Sequence, residues 1–159
     1  MKANKTIQMP KPSADVRALK VFVGTWHAEG TSFGDGQIAD DPRASPAPWV
    51  SDETYEWLPG EFYLLHRWEA KAGKRHFVGT EIIGYDSARG YFAQMFDNAG
   101  HHPEYRAQRE GKVWTFKEPQ TRATITVNNR NTMTFNWEWK NGGTRWLPLC
   151  ERIARRVEL

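Results

Sequence analysis

The spacing of apolar and polar residues changes period once along this chain, near residue 24. Before that point Val16, Leu19 and Val23 recur at helical spacing with Phe22 beside them, the stripe that a short, one-sided helix needs. Ser13 offers a hydroxyl to cap the first turn, and Asp15 puts an acid where the helix dipole favours one. Gly24 stops the segment, because glycine accepts the backbone conformations of a helix end. The pattern predicts one helix over Ala14–Val23. An extended arm, residues 1–12, precedes it: polar, without period, and broken by Pro10 and Pro12.

From Trp26 onward the period is two. "WHAEGTSF", "WVSDETYEWL", "EFYLLHRWEA", "HFVGTEIIGYD" and "YFAQMFDNAG" read as strands, followed by a shorter strand ending at Gly111, then "KVWTFKEP", "TRATITVNN", "TMTFNWEWKNGG" and "TRWLPLCERIARRV". Gly, Asn, Asp and Pro turns separate them, and no amphipathic run is long enough for a helical crossover. The long turn-rich segment Gly34–Pro48 is the one extended loop. About ten short strands in one meander predict an all-β fold, an antiparallel up-and-down barrel, because closure removes the exposed edges. No linker or repeat interrupts it, so residues 13–159 are expected to form a single barrel domain.

The junction itself carries a resemblance. Gly24, Trp26, Ala28 and Gly30 follow a short helix into the first strand, which resembles the calycin superfamily of lipocalins, fatty-acid-binding proteins and nitrobindins. The nitrobindin pattern is Gly-x-Trp-x-Gly-x-Gly, from which Ala28 departs. The resemblance implies that the helix closes one barrel end and that Trp26 packs inside against it. A looser likeness runs from Val16 to Arg152. The run Gly84-Tyr85-Asp86, then Tyr91, then Asp97 is similar to a bacterial lipocalin-like family of unknown function.

Composition adds an aromatic surplus: eight Trp, eight Phe and five Tyr in 159 residues. Aromatics favour strands and carry large apolar area, so they either fill a barrel or wall a ligand site. Phe135, Trp137 and Trp139 alternate on one strand, Trp114 and Phe116 on another, and Tyr55 and Trp57 on a third. Ten strands enclose more space than eight, which favours a cavity, and an enclosed space of several hundred cubic ångströms would separate a ligand site from a filled barrel. The net charge of +3 is dispersed. Arg152, Arg155 and Arg156 form the one dense basic run and read as solvated or carboxylate-paired, not as a nucleic-acid site. No apolar run is long enough for a membrane span. The start of the chain lacks the apolar core of a signal peptide, and the lone Cys150 excludes an internal disulfide. The expected location is the cytoplasm.

Candidate chemistry is sparse. The nitrobindin likeness implies haem held by a late histidine, yet no histidine follows His102; Cys150 is the one soft ligand there, and no cofactor is expected. Asp97, His101, His102 and Glu104 cluster, but adjacent histidines on an extended chain point to opposite sides, so no metal site is expected. His66 shares a face with Phe62, Leu64 and Trp68. In an apolar wall, burial lowers its pKa and leaves a neutral base, unless an ionised Asp97 opposes the shift. Glu81, with Phe77 and Ile83, is a second acid–base candidate. Asp97, on a face with Met95 and Ala93, is the polar group expected at the cavity mouth. No phosphate loop, Gly-x-Ser-x-Gly elbow or Cys-x-x-Cys pair occurs. The leading reading is a barrel that binds a small hydrophobic or aromatic molecule. Its rival is a cofactor-free isomerase, cyclase or lyase using His66, Glu81 or Asp97 in the same cavity. A filled barrel serving as an interaction module is the third, and a homodimer is one assembly the sequence leaves open.

Overall fold

Ser13 starts the helix as its position predicts: its side chain accepts a hydrogen bond from the Val16 N–H at 3.2 Å. The computed structural model describes residues 6–158. Helix α1 covers only Ala14–Ala18, and a 3₁₀ turn, Leu19–Phe22, completes the segment. The helix is therefore tighter and shorter than its spacing suggests. On a 3₁₀ turn residues three apart eclipse one another, so Leu19 and Phe22 both point into the barrel, and both are fully buried. Val23 is already extended (φ −57°, ψ 127°). Residues 6–12 carry no helix or strand. The rest of the expected arm, residues 1–5, lies outside the described residues.

Ten strands follow: β1 Gly24–Ser32, β2 Ala47–Trp57, β3 Leu64–Ala72, β4 Arg75–Asp86, β5 Gly90–Asp97, β6 Glu104–Glu110, β7 Val113–Lys117, β8 Thr121–Asn129, β9 Thr132–Trp139 and β10 Leu147–Arg156. Each pairs antiparallel with its chain neighbour, and β10 pairs with β1 to close the barrel. That seam runs from Trp26 opposite Arg156 to Ser32 opposite Cys150. A Cβ on Gly30 would lie 1.9 Å from the Glu151 carbonyl oxygen, so only glycine lets the two strands approach this closely.

One end of the barrel is packed by the helix. Trp26 is 1% exposed, and its Nε1 donates to the Phe22 carbonyl at 2.8 Å. Phe22 meets Trp114 edge-on at 5.1 Å and stacks on Tyr55 at 5.6 Å. The Tyr91 hydroxyl donates to the Asp15 carbonyl at 2.7 Å, tying α1 to β5. No helix among the described residues is long and apolar enough to cross a membrane.

Candidate functional site

Strand alternation places Glu53 and Tyr55 of β2, His66 of β3, Glu81 of β4 and Arg152 of β10 inside the barrel. Cross-strand register puts His66 opposite both Tyr55 and Glu81. The imidazole lies between two carboxylates. Nε2 is 3.0 Å from Glu53 Oε1, and Nδ1 is 3.1 Å from Glu81 Oε1. Tyr55 stacks on the ring at 3.9 Å, nearly parallel. On the other side, Arg152 Nη2 reaches Glu53 Oε1 at 3.5 Å. Ser51 donates to Glu53 Oε2 at 3.2 Å, and Trp49 Nε1 donates to the Ser51 oxygen at 3.1 Å. The Arg152 guanidinium lies 4.4 Å over Phe135 and 5.0 Å over Trp49.

The charges fix one another. Burial alone would push the Glu53 carboxyl up, but the Arg152 charge and the His66 hydrogen bond outweigh it and hold it at about 2. His66 goes the opposite way from the sequence expectation. Burial pushes it down, but the hydrogen bonds to Glu53 and Glu81 prevail and its pKa is raised. Both ring nitrogens are spent on carboxylates, so this histidine is suited to hold or give a proton, not to take one as a free base. Asp97 has no part in the shift. Its Oδ1 accepts from the N–H groups of Ala99 and His101, each at 2.9 Å, and its Oδ2 meets His101 Nδ1 at 2.9 Å. Asp97 thus locks the turn after β5.

Two donors in this region have no partner: Arg152 Nε and Trp137 Nε1 are buried without a hydrogen bond. Both residues line the enclosed cavity at the barrel centre, with His66, Glu81, Phe116 and Phe135 among its other walls. That cavity measures about 30 Å³, room for one water-sized group. A space of several hundred cubic ångströms, which would separate a ligand site from a filled barrel, is absent at the barrel centre, because bulky rings from facing strands meet across it.

The candidate residues from the sequence divide accordingly. Tyr55, His66, Glu81, Phe116, Phe135 and Trp137 surround the cavity. Leu64 is fully buried in the core, and Met95 packs against that core half-buried. Trp68 lies 5.0 Å from the His66 ring, beside Gly79. Trp57 and Trp114 line the helix end instead. Trp139 is taken up by the long β1–β2 loop, its Nε1 donating to Gln37 at 2.8 Å. Phe62 is misplaced by the period-two reading: β3 begins at Leu64, and Phe62 sits in the preceding turn against Gly60. Sequence reasoning also missed Glu53 and Arg152. Glu53 is two residues from Tyr55, and Arg152 lies midway between buried Cys150 and Ala154, so the alternation that placed the aromatics inside would have placed both. Among the described residues no group of three or more His, Cys, Asp or Glu side chains could hold a metal ion. Burial pushes the Cys150 thiol up.

The helix-capped, ten-stranded closed barrel is a calycin-like fold. The chain belongs to the family described as Protein of unknown function (DUF1579), whose profile matches residues 11–156. No curated protein matches the sequence. Among solved structures, Rv2717c from M. tuberculosis superposes with a TM-score of 0.62 at 10% identity, over 93% of this chain and 100% of that one. The S-type phycobiliprotein lyase CPES from Guillardia theta gives 0.60 at 13%, over 90% and 92%. Zebrafish ileal bile acid-binding protein, complexed with cholic acid, gives 0.51 at 15%, over 86% and 99%. At these identities the likeness is one of fold.

Proposed function

We propose that the chain binds a small, mainly apolar or aromatic molecule inside the barrel, its acceptor oxygens taken by Arg152 Nε and Trp137 Nε1. The observation that carries this reading is the pair of buried donors left without partners beside a cavity. An unmatched buried donor costs about 1–3 kcal/mol, a cost that an incoming carboxylate or carbonyl oxygen lowers. Glu53 orients the guanidinium through Nη2 and leaves Nε for the ligand. The ligand body takes its space when half-buried Trp49, Trp68 and Phe77 swing aside. Trp49 and Phe77 stack on each other at 6.0 Å away from the helix cap. Two proteins of similar fold, a bile acid-binding protein and a phycobiliprotein lyase, support ligand binding by such a barrel. The proposed compartment is the cytoplasm, where a lone thiol stays reduced.

The test is a titration with 2-naphthoate followed by tryptophan emission, with naphthalene as the neutral control. Saturable binding of naphthoate, weakened at least about tenfold in Glu53→Met/Arg152→Met, is expected. No saturable binding to the parent, or equal affinity in the double variant, would overturn the reading. Native mass spectrometry of the same protein, purified without refolding, reports carried ligand and any homodimer together.

His66 between two carboxylates favours a second reading, an isomerase, cyclase or lyase in which the imidazolium gives its proton to the bound oxygen while the Glu81 carboxylate takes a proton from a neighbouring substrate carbon. Glu81 then delivers that proton to the product, and the oxygen's proton goes back to His66. On that reading His66→Gln binds naphthoate normally yet loses all turnover of a true substrate.

A further inference from the structure

The helix covers only part of its end of the barrel. Between the 3₁₀ turn and the tips of the β6–β7 and β8–β9 hairpins lies an open groove of about 970 Å³. Its floor is apolar: Val21, Val23, Trp57, Trp114 and Val127. Its rim is cationic: Lys20, Arg109, Lys112, Arg130 and Arg156. No Asp or Glu lines it, and none of the five cations forms an ion pair with a described residue. Arg156 instead donates to the main-chain carbonyls of Arg130, at 3.0 Å, and of Val23, with its guanidinium 4.2 Å over Trp26. Arg109 lies over Trp114 at 5.7 Å. Burial and the like charge of Arg130 hold Arg156 below its ordinary range. Five unneutralised cations around an apolar floor repel one another, and an anion among them relieves that repulsion.

The shape narrows the occupant. A flat membrane cannot reach the floor of a concave groove. A nucleic acid would leave the valine floor unused and find Trp114 fully buried, unavailable for stacking. We infer that this groove is a second binding site, separate from the barrel interior, for a single anionic amphiphile. Its phosphate or carboxylate head sits among Arg109, Lys112 and Arg130, and its apolar body lies along Val21, Val23 and Trp57.

The probe is dodecyl phosphate below its micellar range, titrated by calorimetry into the full chain, with dodecanol and inorganic phosphate as controls. One site per chain is expected, with affinity falling as salt rises. Lys112→Gln/Arg130→Gln, both in exposed hairpin turns, is expected to weaken binding about tenfold or more. Glu53→Met/Arg152→Met is expected to leave it unchanged, which separates this site from the interior one. Four results would each overturn the proposal: no binding to the parent; equal affinity in the Lys112/Arg130 variant; loss of binding in Glu53→Met/Arg152→Met; or sedimentation with phosphatidylglycerol vesicles without binding of monomeric dodecyl phosphate.

Discussion

At the capped end of the barrel, Phe22, Trp26, Tyr91 and Trp114 meet through ring contacts and hydrogen bonds to main-chain carbonyls. Further along the same interior, Glu53, His66, Glu81 and Arg152 carry ionisable groups out of water at comparable depth. The first arrangement stabilises by removing apolar area from water. The second must offset a desolvation cost of several kcal/mol per ion by mutual attraction. A barrel selected for stability alone gains little from the second, since replacing a buried ion network by apolar groups of equal volume is often stabilising. The contrast separates an end held together by apolar burial from a centre whose charged groups depend on one another.

Four measurements test that contrast. The largest effect is expected from Trp26→Ala, which empties the scaffold end and should lower stability by about 3–5 kcal/mol in urea denaturation; an unchanged midpoint would deny that end its structural role. Glu53→Gln comes next, at about 3 kcal/mol, because it leaves Arg152 buried without its counter-charge. Glu53→Met/Arg152→Met should recover most of that loss, and recovery with loss of naphthoate binding is the signature of a functional ion pair. The pH dependence follows from the same groups. Glu53 is depressed from 4.5 to about 2, so its contribution is full above pH 4.5 and is lost as pH falls through about 2. His66 is raised from 6.5, so its contribution is full below pH 6.5 and is lost as pH rises through its folded value. Thermal melts should therefore show maximal stability between pH 4.5 and 6.5, with the alkaline decline smaller in His66→Gln and the remainder coming from His27, which Asp52 and Glu29 also raise. The smallest effect, about 1–3 kcal/mol, is expected for Gly79→Ala. A Cβ there would lie 1.9 Å from the Trp68 ring, so the ring must tilt, and tryptophan emission should shift with it.

The scaffold was far more legible in the chain than the site. Turn residues separate about ten strands, and the Gly24–Trp26 junction identifies the capped end, because both signals are local. The charged centre is not local. His66 and Glu81 are visible mid-strand, but the pKa direction at His66 depends on Glu53, which reads as one more acid in "SDETYEW" until Tyr55 is placed inside. Arg152 is concealed in a basic run whose two other arginines do reach solvent, partly or fully. The cavity volume escaped for a related reason. Strand count sets the girth of the barrel, whereas the free space depends on how rings from facing strands meet, and no periodicity encodes that. Asp97 misled because a carboxylate closing a turn and one at a cavity mouth look alike in sequence; the "NAG" that follows it was the available clue.

Nine of the ten strand pairings join chain neighbours, and the tenth is the seam between β1 and β10. Local hairpins form early and distant closures late, so Glu53, His66 and Glu81 come together within one β2–β4 meander while the sheet is still open. Arg152 sits 99 residues from Glu53 and arrives only when the seam zips past Gly30. Folding in order of contact distance would deliver the guanidinium that completes the charged centre last, after two carboxylates and an imidazole had met without it. A molecule held by Arg152 Nε has nothing to grip until that step is over. It should leave the refolding rate untouched and act wholly on unfolding, lengthening the lifetime of the closed ring.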